Sequence, residues 1–249
     1  MKESGAATTS FYDELADWWP LFSPHTEYGE EAADLLARLG PDVARPGAAL
    51  LELGSGGGSL AFHLQRFELT LTDISPGMLA QNRKLIPRAE HIIGDMRTLR
   101  LDRQFDVVLI HDAIMYAATP ADVQATLRTA AEHCRAGGTI VVLPDYVRET
   151  FEPGTDCGGH DAPDGRGLRY LEWRFDRDPA DDSYVVDYAF SLRETDGTVA
   201  VRHDRHVEGL FARAQWLGWF ETAGAPATPS IDPWNRDVFI ARKTGKRTG

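Results

Sequence analysis

The sequence predicts an α/β protein: a doubly wound, mostly parallel β-sheet with helices on both faces and a small antiparallel β insertion. Three observations predict it. From residue 48 to residue 143, strand-like and helix-like segments alternate, and the strands are continuous apolar runs such as Val107-Val108-Leu109-Ile110; runs of that kind belong to strands buried on both faces, as in a parallel sheet. The first run ends in a glycine-rich turn, Gly54-Ser55-Gly56-Gly57-Gly58. Beyond residue 144 the pattern changes to three strand-like runs, the last two joined by the hairpin signal Asp196-Gly197.

The elements follow in order. Residues 1–10 are small and polar and read as a loose tail. Residues 11–19 are aromatic and acidic and read as a short helix. Residues 27–39 form a helix with Ala32, Leu35, Leu36 and Leu39 on one stripe and Gly40 closing it. Residues 48–53 are the first strand, and Leu60, Ala61 and Leu64 suit a helix after Gly58. Residues 68–72 make the second strand, which ends at Asp73. Ser75-Pro76 opens a helix to Leu85, with Ser as N-cap and Pro at the first helical position. Strands at 91–93 and 105–110 come next. Thr119-Pro120 repeats the start signal for a helix to Arg135, stopped by Gly137-Gly138 and followed by a strand at 139–143. Residues 149–167, rich in Gly, Pro and Asp, read as a loop. Strands follow at 168–175, 184–193 and 199–207, then a helix at 210–222, a last strand at 237–241 and a frayed tail at 243–249.

Composition narrows the function. A chain of 249 residues, 43% hydrophobic and 26% charged, can bury a sizeable core in one domain with an insertion. A net charge of −12 disfavours nucleic acid and anionic membrane surfaces as partners. Two cysteines, Cys134 and Cys157, are too few for a disulfide framework and read as free thiols. No apolar run reaches the roughly 18 residues of a membrane span, and the N-terminus has no hydrophobic signal region. The cytoplasm is the expected location.

The chemistry is expected at the glycine turn. Glycines let the backbone turn tightly and approach a ligand closely. Gly54, Ser55 and Gly56 are the candidate contacts, in a pattern shared by nicotinamide and S-adenosylmethionine proteins. Glu52, two positions before Gly54, suits a cation such as the amino group of S-adenosylmethionine, and not a pyrophosphate on a helix N-terminus. Asp73, at the end of the second strand, can accept both ribose hydroxyls, with Ile74 and Met78 packing near the adenine. Asp95, in Gly94-Asp95-Met96, can accept from the adenine amino group while Met96 covers the ring.

The runs LLELGSGGG, TLTDISPGML, GDM, FDVVLIHD and GGTIVVL together resemble class I S-adenosylmethionine-dependent methyltransferases over about residues 25–145. That resemblance implies a seven-stranded sheet in the order 3-2-1-4-5-7-6 with the seventh strand antiparallel; only the run at 237–241 is clear as a late strand. A narrower resemblance rests on Phe11-Tyr12-Asp13, on the stretch from Tyr28 to Leu35, on Gly94-Asp95-Met96 and on the inserted strands. It is to the N,N-dimethyltransferases of nucleotide-linked amino sugars, and it implies that an aromatic N-terminal segment closes over the cofactor, with Tyr12 and Tyr28 as contacts. The chain departs from that group at Asp112-Ala113-Ile114-Met115-Tyr116 and at Leu143-Pro144-Asp145-Tyr146, both on the substrate side.

The expected domains are a helical cap at 1–40, a core at 41–147 and 208–243, and a β insertion at 148–207 serving as a lid or homodimer surface. Methyl transfer to a small molecule needs mainly proximity and alignment, with an amine preferred as acceptor. A hydroxyl would benefit from a base. Candidate bases are His206, which the resemblance also favours, His111, which is equally a cofactor contact, and His203, which reads as exposed. Asp112, Tyr116 and Tyr146 could line the pocket. The segment from Asp156 to Asp161 lacks a second ligand cluster and reads as a flexible loop, not a metal site. A nicotinamide-dependent oxidoreductase and a non-catalytic cofactor-binding protein are the alternatives; the first leaves Glu52 and Gly94-Asp95-Met96 unexplained.

Overall fold

The structure, a computed structural model, describes residues 10–244; of the tails expected at 1–10 and 243–249, residues 1–9 and 245–249 lie outside the described residues. The N-terminal segment does not form one helix. It breaks into α1 (Ser10–Asp13), a 3-10 turn (Ala16–Trp18) and α2 (Trp19–Phe22). Pro20 opens α2 because it cannot donate the backbone hydrogen bond that a continuous helix would need. Packing supplies the rest: Phe11 stacks on Phe190 at 4.4 Å, and Phe22 packs edge-on against Tyr170, Tyr188 and Phe190.

Helix α3 (Gly29–Leu39) buries Ala32, Leu35 and Leu39, as the stripe predicts. Strand β1 (Ala49–Leu53) leads into the glycine turn. The helix expected after Gly58 is absent, and a 3-10 turn (Ala61–Leu64) stands in its place. The chain must reach β2 (Glu68–Asp73) within a few residues, too short a crossover for a full helix. Next come α4 (Pro76–Leu85), β3 (Glu90–Ile93), β4 (Phe105–Ile110) and α5 (Pro120–His133). Strand β5 (Cys134–Val142) starts five residues before the expected boundary, because Cys134 pairs with Phe105 before a bulge restores the register at Thr139.

The loop expected at 149–167 contains a strand, β6 (Gly154–Gly158), which pairs antiparallel with β7 (Gly167–Phe175). It is an exposed edge strand, held by main-chain hydrogen bonds, so no apolar pattern announces it. Strands β8 (Ser183–Arg193) and β9 (Val199–Gly209) complete a four-stranded antiparallel sheet ordered β6-β7-β8-β9. Helix α6 (Arg213–Thr222) starts later than expected, because Leu210 and Phe211 are spent in the core and the Gln215 side chain reaches back to accept the Ala212 N–H at 2.8 Å. A strand missed by sequence, β10 (Ala227–Ile231), precedes β11 (Asp237–Arg242); its Pro229 is tolerated at the sheet edge.

The large sheet runs β10-β11-β5-β4-β1-β2-β3, with β11 antiparallel to β5 and all strands from β5 to β3 parallel. This is the seven-stranded order implied by the class I resemblance. The strand order reverses between β1 and β4, which opens a crevice at their carboxyl ends. Two buried layers cover the sheet, one on each face, and a third cluster joins the N-terminal segment to the small sheet through Phe11, Trp18, Leu21, Leu168, Phe190 and Leu192. Among the described residues no helix is long and apolar enough to cross a membrane.

Candidate active site

The carboxyl end of β1 sets the floor of the crevice. Gly54 has φ of +74°, and a Cβ there would lie 2.4 Å from the Ala113 Cβ, so both conformation and contact require glycine. The Ser55 N–H donates to the Thr72 carbonyl at 2.8 Å, and the Ser55 hydroxyl accepts from Asn82 at 3.0 Å. These bonds fasten the turn to β2 and α4. Gly57 lies under the Trp19 indole: a Cβ there would come within 2.1 Å of the ring. The indole N–H donates to Ser59 Oγ at 3.3 Å, and the Ser59 hydroxyl donates to the Ser23 carbonyl at 2.6 Å. Residues 11–23 therefore lie across the glycine turn.

Glu52 is 2% exposed, and its Oε2 is buried with no hydrogen-bond partner. Burial pushes this carboxyl up to about 8 against the opposing pull of His111. An orphaned buried carboxylate needs a cationic partner, and the ammonium of S-adenosylmethionine is one. Asp73 ends β2; its Oδ2 accepts the Gly56 N–H at 2.8 Å and its Oδ1 accepts the Ser75 N–H at 2.8 Å. Burial raises this carboxyl despite those bonds. Ile74 is 47% exposed beside it, and Met78 is buried, with its methyl close to Gly56. Asp95 lies past β3, but its carboxylate is held by the Arg97 guanidinium, which also pairs with Asp122 at 3.1 Å and lowers the Asp95 carboxyl from its ordinary value. Met96 is partly buried against the core.

His111 caps the end of β4. Its Nε2 lies 2.7 Å from Glu31 and 3.0 Å from Asp112. Burial alone would depress it; Asp112 and Glu31 prevail and hold it up to about 9, as an imidazolium. Glu31 also pairs with Arg236, which bonds Asp232. Between burial and the two cations, the cations win and bring Glu31 down to about 2. Tyr28 stands edge-on to His111 at 6.2 Å, and its hydroxyl is 2.8 Å from Ser23 Oγ. Its hydroxyl is raised by burial.

On the far side of the crevice, Tyr12, Tyr116 and His206 converge from three separate segments. The Tyr12 and Tyr116 hydroxyls are 2.7 Å apart, Tyr116 Oη is 2.7 Å from His206 Nδ1, and His206 Nε2 is 3.4 Å from Asp204 Oδ2. Glu208 lies two residues further on β9 and is bonded by the Tyr184 hydroxyl; burial raises its carboxyl. Asp145, three residues past β5, is also raised well above its usual range by burial and by Asp112 and Glu208. Sequence reasoning does not single out Asp204, Glu208 or Arg236. The first two carry a signal: Asp204, His206 and Glu208 alternate along β9, so a strand places all three on one face. Of the other candidates, His203 is exposed on the outer face of β9, 3.8 Å from Asp187, and Tyr146 packs under Arg174 at 4.8 Å. His160, from the glycine-rich segment, contacts the Leu21 carbonyl and Glu27, and among the described residues no group of three His, Cys, Asp or Glu side chains could hold a metal.

Residues 50–138 match a family described as a methyltransferase domain. A dTDP-3-amino-3,4,6-trideoxy-alpha-D-glucopyranose N,N-dimethyltransferase from Streptomyces venezuelae is 32% identical over 212 residues, 80% of this chain and 83% of the relative. The crystal structure of DesVI from Streptomyces venezuelae superposes with a TM-score of 0.81 at 26% identity, covering 92% of this chain and 98% of that one. CalS10, an amino pentose methyltransferase from Micromonospora echinaspora solved with S-adenosylmethionine bound, gives a TM-score of 0.72 at 26% identity over 87% of this chain and 92% of its own. The nicotinamide alternative finds no support in these relatives or in the orphaned Glu52. The glycine turn, the carboxylates that flank it and the likeness that runs on through the small sheet lead to one assignment: the chain belongs to the S-adenosylmethionine-dependent methyltransferases, in the family of the sugar N,N-dimethyltransferases.

Proposed function

We propose that the protein methylates the amine of a nucleotide-linked amino sugar. The observation that carries this reading is the likeness to the amino-sugar N,N-dimethyltransferase, with a structural match that takes in β6–β9 and so both walls of the crevice. The site's electrostatics support it. Asp112 and Glu208 both raise the buried Asp145 carboxyl, and a cation brought among such crowded acids would be stabilised by their ionisation.

S-adenosylmethionine supplies an activated methyl group on a sulfonium. Glu52 and Asp73 are suited to its ammonium and ribose, with Gly54, Ser55 and Gly56 as the cradle. Ile74, Met78 and Met96 fit around the adenine, and Tyr12, Tyr28 and His111 around the methionine part. Asp95 can reach the adenine amino group only by sharing its carboxylate with Arg97. Beyond donor binding, the protein has to hold the amine close and aligned, and His206 is the base nearest the acceptor side. The test is incubation with S-adenosylmethionine and dTDP-3-amino-3,4,6-trideoxyglucose, read by mass spectrometry for one or two added methyl groups. Methylation of hydroxyl sugars with none of the amine would refute the acceptor class.

The outer face of the small sheet exposes Leu171, Trp173, Val199, Val201 and Val207. An apolar face of this kind supports a homodimer. Both cysteines are free, Cys157 in an exposed position, which supports a reducing cytoplasm.

A further inference from the structure

We propose that Tyr116 and Asp204 make His206 the far end of a proton wire that opens at the Tyr12 hydroxyl and removes the proton of the methylated amine. The proposal rests on the amine acceptor above and goes beyond it, because it assigns a route by which a second methylation becomes possible.

The direction of every hydrogen bond in the wire follows from its last member. Asp204 is buried, which would raise its carboxyl, but bonds from His206 and from the Phe11 N–H outweigh burial and keep it ionised. A carboxylate only accepts. His206 Nε2 therefore carries the hydrogen toward Asp204, and in the neutral ring Nδ1 is an acceptor. Tyr116 must then donate to Nδ1, and its oxygen must accept from the Tyr12 hydroxyl. The Tyr12 oxygen is left with open lone pairs at the start of the chain.

Burial pushes both phenols above their usual range, so neither is a resident base and each only passes a proton on. Once methylated, the nitrogen is cationic and has no lone pair. It gives one proton to the Tyr12 oxygen while the Tyr12 proton moves to Tyr116 and the Tyr116 proton to His206 Nδ1. The net change is one proton from nitrogen to imidazole, with both phenols restored. The imidazolium donates at Nε2 to Asp204, and the nitrogen regains the lone pair that a second methyl needs.

Other groups face His206. Glu208 on β9 is 3.9 Å from Nδ1, but its other oxygen is occupied by Tyr184 of β8. The Tyr188 ring of β8 lies 5.1 Å away, and the charge of Glu172 on β7 bears on both Tyr188 and Glu208. Asp112 bears on Glu208 and on Tyr12, and Asp145 on Tyr184. Tyr116 is the one donor that reaches Nδ1 among the described residues. Asp204 also holds the segment that carries Tyr12, by accepting the Phe11 N–H at 2.9 Å. Tyr116 and Asp204 are positioning residues for His206.

The experiment compares wild type, Tyr116→Phe and Asp204→Asn with dTDP-3-amino-3,4,6-trideoxyglucose across pH, reading mono- and dimethyl products. Calorimetry with S-adenosylmethionine reports whether each variant is folded. At pH 7 both variants should accumulate monomethyl product, with the second methylation slowed by roughly tenfold or more. The defect should shrink as pH rises past the ammonium pKa of the monomethyl product, where no proton needs removing. A deficit equal at every pH, or an unchanged product ratio, overturns the wire. A wild type that methylates no amine overturns the acceptor and the wire together, whereas amine methylation indifferent to Tyr116 overturns the wire alone.

Discussion

Replacing Glu52 with glutamine should make the protein more stable and a poorer binder of its methyl donor. The side chain keeps its shape and loses its charge. In the wild type the carboxyl rises from its ordinary 4.5 to about 8, chiefly through burial. A folded-state pKa above the unfolded one means that the full stability is present below about 4.5, declines as pH rises, and is lost once pH passes about 8. At 1.36 kcal/mol per pH unit, that rise sets a ceiling of about 5 kcal/mol on the penalty at pH 9. Urea denaturation of both proteins at pH 6 and pH 9 would measure it. Wild type should lose stability relative to Glu52→Gln between those pH values, and the variant should be the more stable at pH 9. The same variant removes a charge-assisted bond to a buried cation, about 1.5–3 kcal/mol or roughly ten- to a hundredfold in Kd for S-adenosylmethionine. Parallel stability curves with unchanged affinity would show that Glu52 is neither strained nor a ligand.

Three further outcomes are expected. Asp73→Ala should weaken S-adenosylmethionine at least tenfold, about 1.4 kcal/mol by calorimetry, since it removes the candidate ribose acceptor and the anchor of the Gly56 and Ser75 amides; an unchanged Kd would end the ribose assignment. Gly57→Ala should expel Trp19 from the glycine turn, because the new Cβ would sit 2.1 Å from the indole; it should red-shift tryptophan emission and cost about 1–3 kcal/mol in denaturation, and a native spectrum would argue against the close approach. Trp173→Glu, on the exposed face of β7, should shift a dimer to monomer in light scattering without altering S-adenosylmethionine binding; an unchanged mass would leave that face without a partner copy.

Features governed by local chemistry are legible in the sequence. Ser75 and Thr119 cap their helices through bonds to Met78 N and Asp122 N, each three residues on. Glu52 and Asp73 stand at strand ends flanking the glycine turn, so their place in the crevice follows from the parallel sheet itself. What stays hidden depends on distant partners. Glu31 and Arg236 are 205 residues apart in sequence. Strands β6 and β10 are edges whose pairing is carried by backbone, which leaves no apolar trace. The aromatic spacing at 11–19 is helical and points to one helix, but the rings answer to Phe190 and the glycine turn instead.

The N-terminal segment is fastened on both sides: to the glycine turn through Trp19 and Ser59, and to the small sheet through Phe11 and Asp204. A strap with anchors on opposite banks opens only when both let go. Departure of the spent donor is therefore expected to be slow compared with the chemistry, and turnover to be set by unlatching. An enzyme built this way would show strong inhibition by its own by-product, and loosening either anchor should relieve it.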